Sequence, residues 1–243
     1  MSKERITFMV AANMSGSDKR KLFVIGKSKK PRCFPKDMKR VPVDWSHSKK
    51  AWMTSKIFEK YLRDWDAELG KTKRKILLLV DNCPAHPNVK SLQNIKLVFL
   101  PANTTSILQP MGQGVINSLK VKFRKRLIVR LIFKIEKNDS TPVNMLEAVT
   151  MVSKAWNDVT KVTIRNCFRH AGLKSAQEDQ GAESNSSNDA EQDINAWAQD
   201  LDLPQSLRVD DLQEYVAADE HIQVTSAMTD EEILSAVRKD DQK

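Results

Sequence analysis

At 243 residues and 40% apolar content the chain can bury a core for one domain with additional segments, yet none of its apolar runs approaches the ~18 residues of a membrane span. The net charge of +9 is unevenly spread: residues 1–174 carry 36 Lys and Arg against 13 Asp and Glu, a net of +23, while residues 175–243 carry 4 against 18, a net of −14. A polycation followed by a polyanion points to a nucleic-acid-facing domain with an acidic tail that docks on it or on a protein partner, and no membrane role is expected.

The predicted elements begin with "RITFMVAAN", which alternates like a strand and does not form the apolar stretch of a secretory signal. The Gly/Ser/Asp turn "MSGSDKR" and the apolar "KLFVIGK" complete a hairpin. After the basic, proline-punctuated loop "SKKPRCFPKDMKRVP", the spacing of Ile57, Phe58, Tyr61, Leu62, Trp65 and Leu69 predicts a helix capped by Thr54 or Ser55. "KILLLVD" reads as a strand buried on both faces, as in the centre of an α/β sheet. "IKLVFLP" repeats the pattern after a short helix or turn, which favours a parallel pair. From Gly114 to about Lys137 the period is helical, with Ile116, Leu119, Phe123, Leu127, Leu131 and Ile135 on one stripe. Two more helices follow at 144–159 and 161–173, the last closed by Gly172. Residues 175–205 have the composition of a disordered polar linker, and 206–243 form an acidic tail with short helices, "RVDDLQEYVAAD" and "TDEEILSAVRK", the second opening on a capping box of Thr229 and Glu232.

Three widely spaced cysteines, Cys33, Cys83 and Cys167, suit a reduced intracellular compartment. Cys83 and His86 make an isolated C-x-x-H, two donors short of a structural zinc site, and read as a turn cysteine and a helix-start histidine. Asp81 closes the aliphatic run "ILLLV", a place where a strand end can present a carboxylate to a divalent metal. A second carboxylate is needed, and the loop "LQPMGQGVI" before the long helix offers Gly112 instead. Phosphate contacts are expected from Lys27, Lys29, Lys30 and Arg32 in "GKSKKPR", from Lys49 and Lys50 in "SKKAW", and from the series Lys120, Lys122, Arg124, Lys125 and Arg126 that continues to Lys134. Trp45 and Trp52 are either stacking groups or packing residues near the helix start.

The segments "KERITFMVAAN", "VIGKSKKPRCF", "KKAWMTSKIF", "KILLLVDNCPAHP", "IKLVFLPANTTSILQPMGQGVI" and "AWNDVTKVTIRNCFRHAGL" resemble, in this order, the DDE endonuclease domain of Tigger-type, pogo-lineage transposases, whose domesticated relatives include Jerky and centromere protein B. The resemblance implies an α/β, RNase H-like mixed sheet flanked by helices over residues 1–174, incomplete at the N-terminus, with the first strand and its acid missing. It also implies chemistry by three carboxylates and two divalent ions. Asp81 matches the second acid, and Gly112 stands where the third belongs. Glu136, roughly 30 Å along the helix, is too far to replace it, and Glu4, Asp18 and Asp37 match no motif. The expected function is therefore DNA binding in the nucleus by a transposase-derived protein with a degenerate, inactive endonuclease site. Cofactors are not expected, and Mg²⁺ or Mn²⁺ would enter with residual activity. The alternatives are a protein-interaction module, a non-functional fragment of a decayed transposon, and a residual metal-dependent endonuclease.

Overall fold

The computed structural model of the chain describes residues 5–101, 104–173 and 208–218. The linker expected at 175–205, the segment "TDEEILSAVRK" and Glu4 lie outside them. Strand β1 (Thr7–Met9) runs antiparallel to β2 (Phe23–Gly26), and a bridge between Ala12 and Lys19 continues the hairpin toward its turn. Asn13 closes that turn: its backbone N–H donates to Asp18 O, and its Oδ1 accepts from the Asp18 N–H. Gly16 stands in the turn at φ +69°, where a Cβ would come within 2.8 Å of the Lys161 backbone, so conformation and space both demand glycine.

Strand β3 (Asp44–His47) pairs in parallel with β2, Gly26 opposite His47. Nothing in "DWSH" signals a strand, because one tryptophan among polar residues makes neither an apolar run nor an alternation; the open edge of β2 recruits it. Strand β2 is the one buried on both faces. Leu22 and Val24 enter a core shared with Val149, Val152, Trp156, Ile164 and Phe168, while Phe23 and Ile25 point to the opposite layer.

That layer is helix α1 (Ser55–Lys71), started by Thr54, whose Oγ1 accepts from the Ile57 N–H. Phe58, Tyr61, Leu62, Trp65 and Leu69 recur at helical spacing and form its buried face. Beneath the same face lie β4 (Ile76–Val80) and β5 (Ile95–Phe99), paired in parallel as the two apolar runs suggest, Val80 opposite Phe99. Residues 81–94 join them by turns alone. The expectation that β4 is buried on both faces is corrected: Leu77 is 58% exposed, since one face of this pair meets α1 and the other is uncovered among the described residues. No ladder joins the two sheets among the described residues, so β1 and β4 each keep an unpaired edge. The architecture is mixed α/β, with its strands in two groups and helices on both sides of β2.

After the short helix α2 (Thr105–Leu108) and a turn kinked at Gly114 (Met111–Val115) comes α3 (Ile116–Glu136), then α4 (Met145–Asp158) and α5 (Lys161–His170). No helix among the described residues is long and apolar enough to cross a membrane. Asn144 and Glu147 form a capping box at the start of α4, and Lys19 closes its end by donating from Nζ to the carbonyls of Trp156, Asn157 and Val159. The stripe expected on α3 is buried or half-buried from Ile116 through Leu127 but fails beyond it. Leu131 and Ile135 are 42% and 51% exposed, and Ile128 and Ile132 are buried instead. The physical reason is a change of partner: the first half of α3 joins the main core, while the second half meets α6 (Val209–Ala217) through Leu212 and Val216. Lys134, expected among the surface cations, is buried, with its Nζ donating to Asp139 Oδ2 and Thr141 O.

One carboxylate ties α1 to the start of β5. Asp66 accepts from the backbone N–H groups of Gln93, Asn94 and Ile95, and although partial burial opposes it, these donors hold its carboxyl below the usual aspartate value. Asp66→Ala is expected to destabilise the fold by about 2 kcal/mol in urea unfolding at pH 7, the size usual for charge-assisted bonds. Because the folded-state pKa is depressed, the contribution is complete above the unfolded aspartate pKa and disappears as pH falls through the folded one, so the gap between mutant and parent should close as the pH is lowered.

Candidate functional site

Asp81 leaves the end of β4 with Oδ1 2.8 Å from His86 Nδ1. The intervening turn is held by the Cys83 N–H donating to Asp81 O and the His86 N–H donating to Cys83 O. His86 is thus a turn residue and not a helix start, and its ring lies 4.4 Å from that of Phe58 in the first turn of α1. The imidazole beside it holds the Asp81 carboxyl below the usual carboxylate range, against the opposing effect of partial burial. Cys83 is a free cysteine, and no group of three or more His, Cys, Asp or Glu among the described residues is placed to hold a metal ion. Asp18 pairs with Arg74, Asp37 accepts from the Lys39 N–H, and Glu136 ends α3. One carboxylate already engaged by an imidazole does not fit a pair of hard divalent cations, which prefer several oxygen donors.

The loop of Gly112 starts beside Asp81. Leu100 donates its N–H to Val80 O at the end of the parallel pair, and the chain continues through buried Thr104 and α2. Gln113 fastens the turn, its Nε2 donating to Ile107 O and its Oε1 lying 2.7 Å from His170 Nδ1 on α5. The two glycines flanking Gln113 differ in kind. A Cβ at exposed Gly112 would meet nothing closer than 3.6 Å, so neither backbone nor space demands glycine there. Gly114 takes φ +138°, and a Cβ there would press to 3.1 Å from Cys167 Sγ.

The expected cations fall into two sets. Lys27, Lys29 and Lys30 follow β2, and Lys49 and Lys50 follow β3; parallel pairing sends both loops out of one end of the sheet, where the Ser48 N–H donates to Gly26 O. All five are exposed, as is Arg32. The β3 loop runs past Trp52 to Thr54 and Phe58, which touches His86, so this end of the domain also carries Asp81. Trp45 is a packing residue: it meets Phe34 edge-on at 4.8 Å and donates from Nε1 to Ser28 O. Trp52 is 52% exposed.

The second set lies on α3. Lys120, Lys122, Arg124, Lys125 and Arg126 are half-buried, and part of their charge is used within the protein. Arg124 donates from Nη1 to Val216 O of α6, and Arg126 pairs with Asp158. Between α3 and α4 runs a groove of about 650 Å³, in which Lys122, Lys125, Arg126, Arg130 and Lys154 surround Val129 and Phe133. Arg130 is held by Glu147, whose carboxyl it keeps below the ordinary range. Lys154 escapes sequence reasoning because a single lysine on an amphipathic helix carries no signal until packing sets it opposite α3.

Residues 3–168 match the DDE superfamily endonuclease family. The chain is 35% identical over 228 residues to mouse Tigger transposable element-derived protein 4, covering 93% of this chain and 44% of that protein. It is 34% identical over 185 residues to ARS-binding protein 1 of Schizosaccharomyces pombe, covering 70% and 35%. It is 29% identical over 173 residues to human major centromere autoantigen B, covering 70% and 28%. The chain thus spans less than half the length of these relatives. No solved structure matches it significantly.

The contrast between the two glycines is measurable. Gly112→Asp should leave stability within about 0.5 kcal/mol of the parent, as exposed substitutions do. Gly114→Ala should cost roughly 1–3 kcal/mol from backbone strain. Chemical denaturation of the two variants checks both values.

Proposed function

The chain belongs to the DDE superfamily endonuclease family, and from that premise we propose that it is a transposase-derived DNA-binding domain whose endonuclease site is degenerate. The observation that carries the binding reading is the groove between α3 and α4. Its cations come from two helices, with Arg126 and Arg130 oriented by Asp158 and Glu147, and with Lys122 and Lys154 in no ion pair among the described residues. That arrangement offers a track for phosphates, and the exposed lysines after β2 and β3 offer a second contact. A relative named as an ARS-binding protein and another named as a centromere autoantigen support the same reading and a place in the nucleus.

The degenerate site rests on Gly112 and on the engagement of Asp81 with His86. Family chemistry requires three acids to place two metals. With Gly112 where one of them belongs, phosphodiester cleavage should fall below detection. In a plasmid-nicking assay with Mg²⁺ or Mn²⁺, no product above background is expected; nicking that disappears in Asp81→Asn would refute this part. Binding is tested separately by titrating salt. About five phosphate contacts should give a slope near −4.5 in log K against log salt, and replacing Lys122 and Lys154 together by Gln should reduce it by about 2. A flat salt response would refute the binding reading.

A second role, for the acidic tail, is favoured by the docking of α6. Leu212 and Val216 pack on Ile128 and Ile132, and Val216 accepts from Arg124, which places Asp210, Asp211 and Glu214 of α6 on a helix packed against basic α3. In this reading the tail screens the basic surface, so deleting residues 175–243 should tighten DNA binding in an anisotropy titration. An unchanged constant would leave the tail to a protein partner.

A further inference from the structure

We propose that Trp52 is a stacking platform for an unpaired DNA base, an assignment that rests on the DNA-binding reading but not on the groove that carries it. Of the four described tryptophans, three are packed. Trp45 sits against Gly26 and Phe34, Trp65 is buried under Arg20, and Trp156 is buried with Nε1 donating to Arg20 O. Trp52 alone among them presents its ring to solvent, at 52% exposure.

Its backbone is held on both sides by one residue. Ser48 Oγ accepts from the Trp52 N–H at 2.8 Å and donates to Trp52 O at 2.7 Å. The preceding Ala51 is fully buried and takes φ 55°, a conformation that an alanine adopts when its surroundings impose it. Two residues later Thr54 caps α1. The backbone that carries the ring is therefore pre-placed, which reduces the conformational freedom to be lost when something lies on it.

The surroundings select what that is. The Arg5 guanidinium lies over the ring at 5.9 Å from its centre and the Lys50 ammonium at 5.4 Å, so an incoming base takes the place of one cation on the indole while its phosphate meets that cation. Lys49 is adjacent, and Lys27, Lys29 and Lys30 leave the same end of the parallel pair. An apolar protein surface would find these cations unfavourable, whereas a nucleotide supplies a π-face for the indole and a phosphate for its neighbours. Duplex DNA hides those faces within its stack, so the platform distinguishes single-stranded or splayed DNA from intact duplex.

Anisotropy titrations of the full chain with three labelled ligands test this: a single-stranded oligo-dT, an abasic strand of the same length and charge, and a duplex. The parent protein should bind oligo-dT about tenfold more tightly than the abasic strand. Trp52→Ala should remove that difference and leave duplex binding unchanged, while Trp52→Phe should retain much of it. Equal binding of oligo-dT and abasic strands by the parent would overturn the proposal, as would an equal loss on all three ligands in Trp52→Ala. Absence of binding to any ligand would instead mark the failure of the DNA-binding reading itself.

Discussion

Phe23 and Ile25 from one sheet, and Val80 and Ile95 from the other, meet beneath the apolar face of α1. This shared burial links strands that have no ladder between them among the described residues, and the candidate site depends on it. A hydrogen-bonded sheet would transmit position through its register; here a helix does so through side chains. Tyr61 against Phe23 and Asp66 against the start of β5 make that link specific as well as apolar. The same helix begins beside Trp52 and touches His86 in its first turn, so the end of β4 and the loop after β3 are held in one place by α1.

Helix α3 shows how one amphipathic pattern can be divided among partners. Leu119 belongs to the main core, Ile128 and Ile132 to the contact with α6, and Val129 and Phe133 to the groove beside α4. Its many cations do not act as a uniform charged face. Lys134 is buried against Asp139 and Thr141, Arg124 reaches an α6 carbonyl, and Arg126 meets Asp158. What faces solvent as usable charge is smaller than composition suggests, and it is arranged in a groove between two helices.

Much of the site was legible as residue types. The strand-ending Asp81, the glycine loop and the lysines after β2 and β3 are all visible in the chain, because each depends on neighbours within a few residues. Asp81 and His86 stand only five residues apart, yet their pairing is not legible in the chain, since its geometry follows from turns that the pattern "NCPAH" does not specify. The two glycines around Gln113 look alike in sequence. Their difference comes from α5, where Cys167 limits one and leaves the other open.

Local patterns therefore established α1, the hairpin, the parallel pair and the charge division between domain and tail, because helical period, turn chemistry and apolar runs are properties of adjacent residues. Folding in three dimensions chose which strand is central. β2 is enclosed because helices approach it from two sides, while the more apolar β4 leaves Leu77 open. It also separated two tryptophans that the sequence leaves equivalent, burying the face of Trp45 against Phe34 and fixing Trp52 outward through Ser48. Burial is a sum over distant neighbours, and no window along the chain contains them.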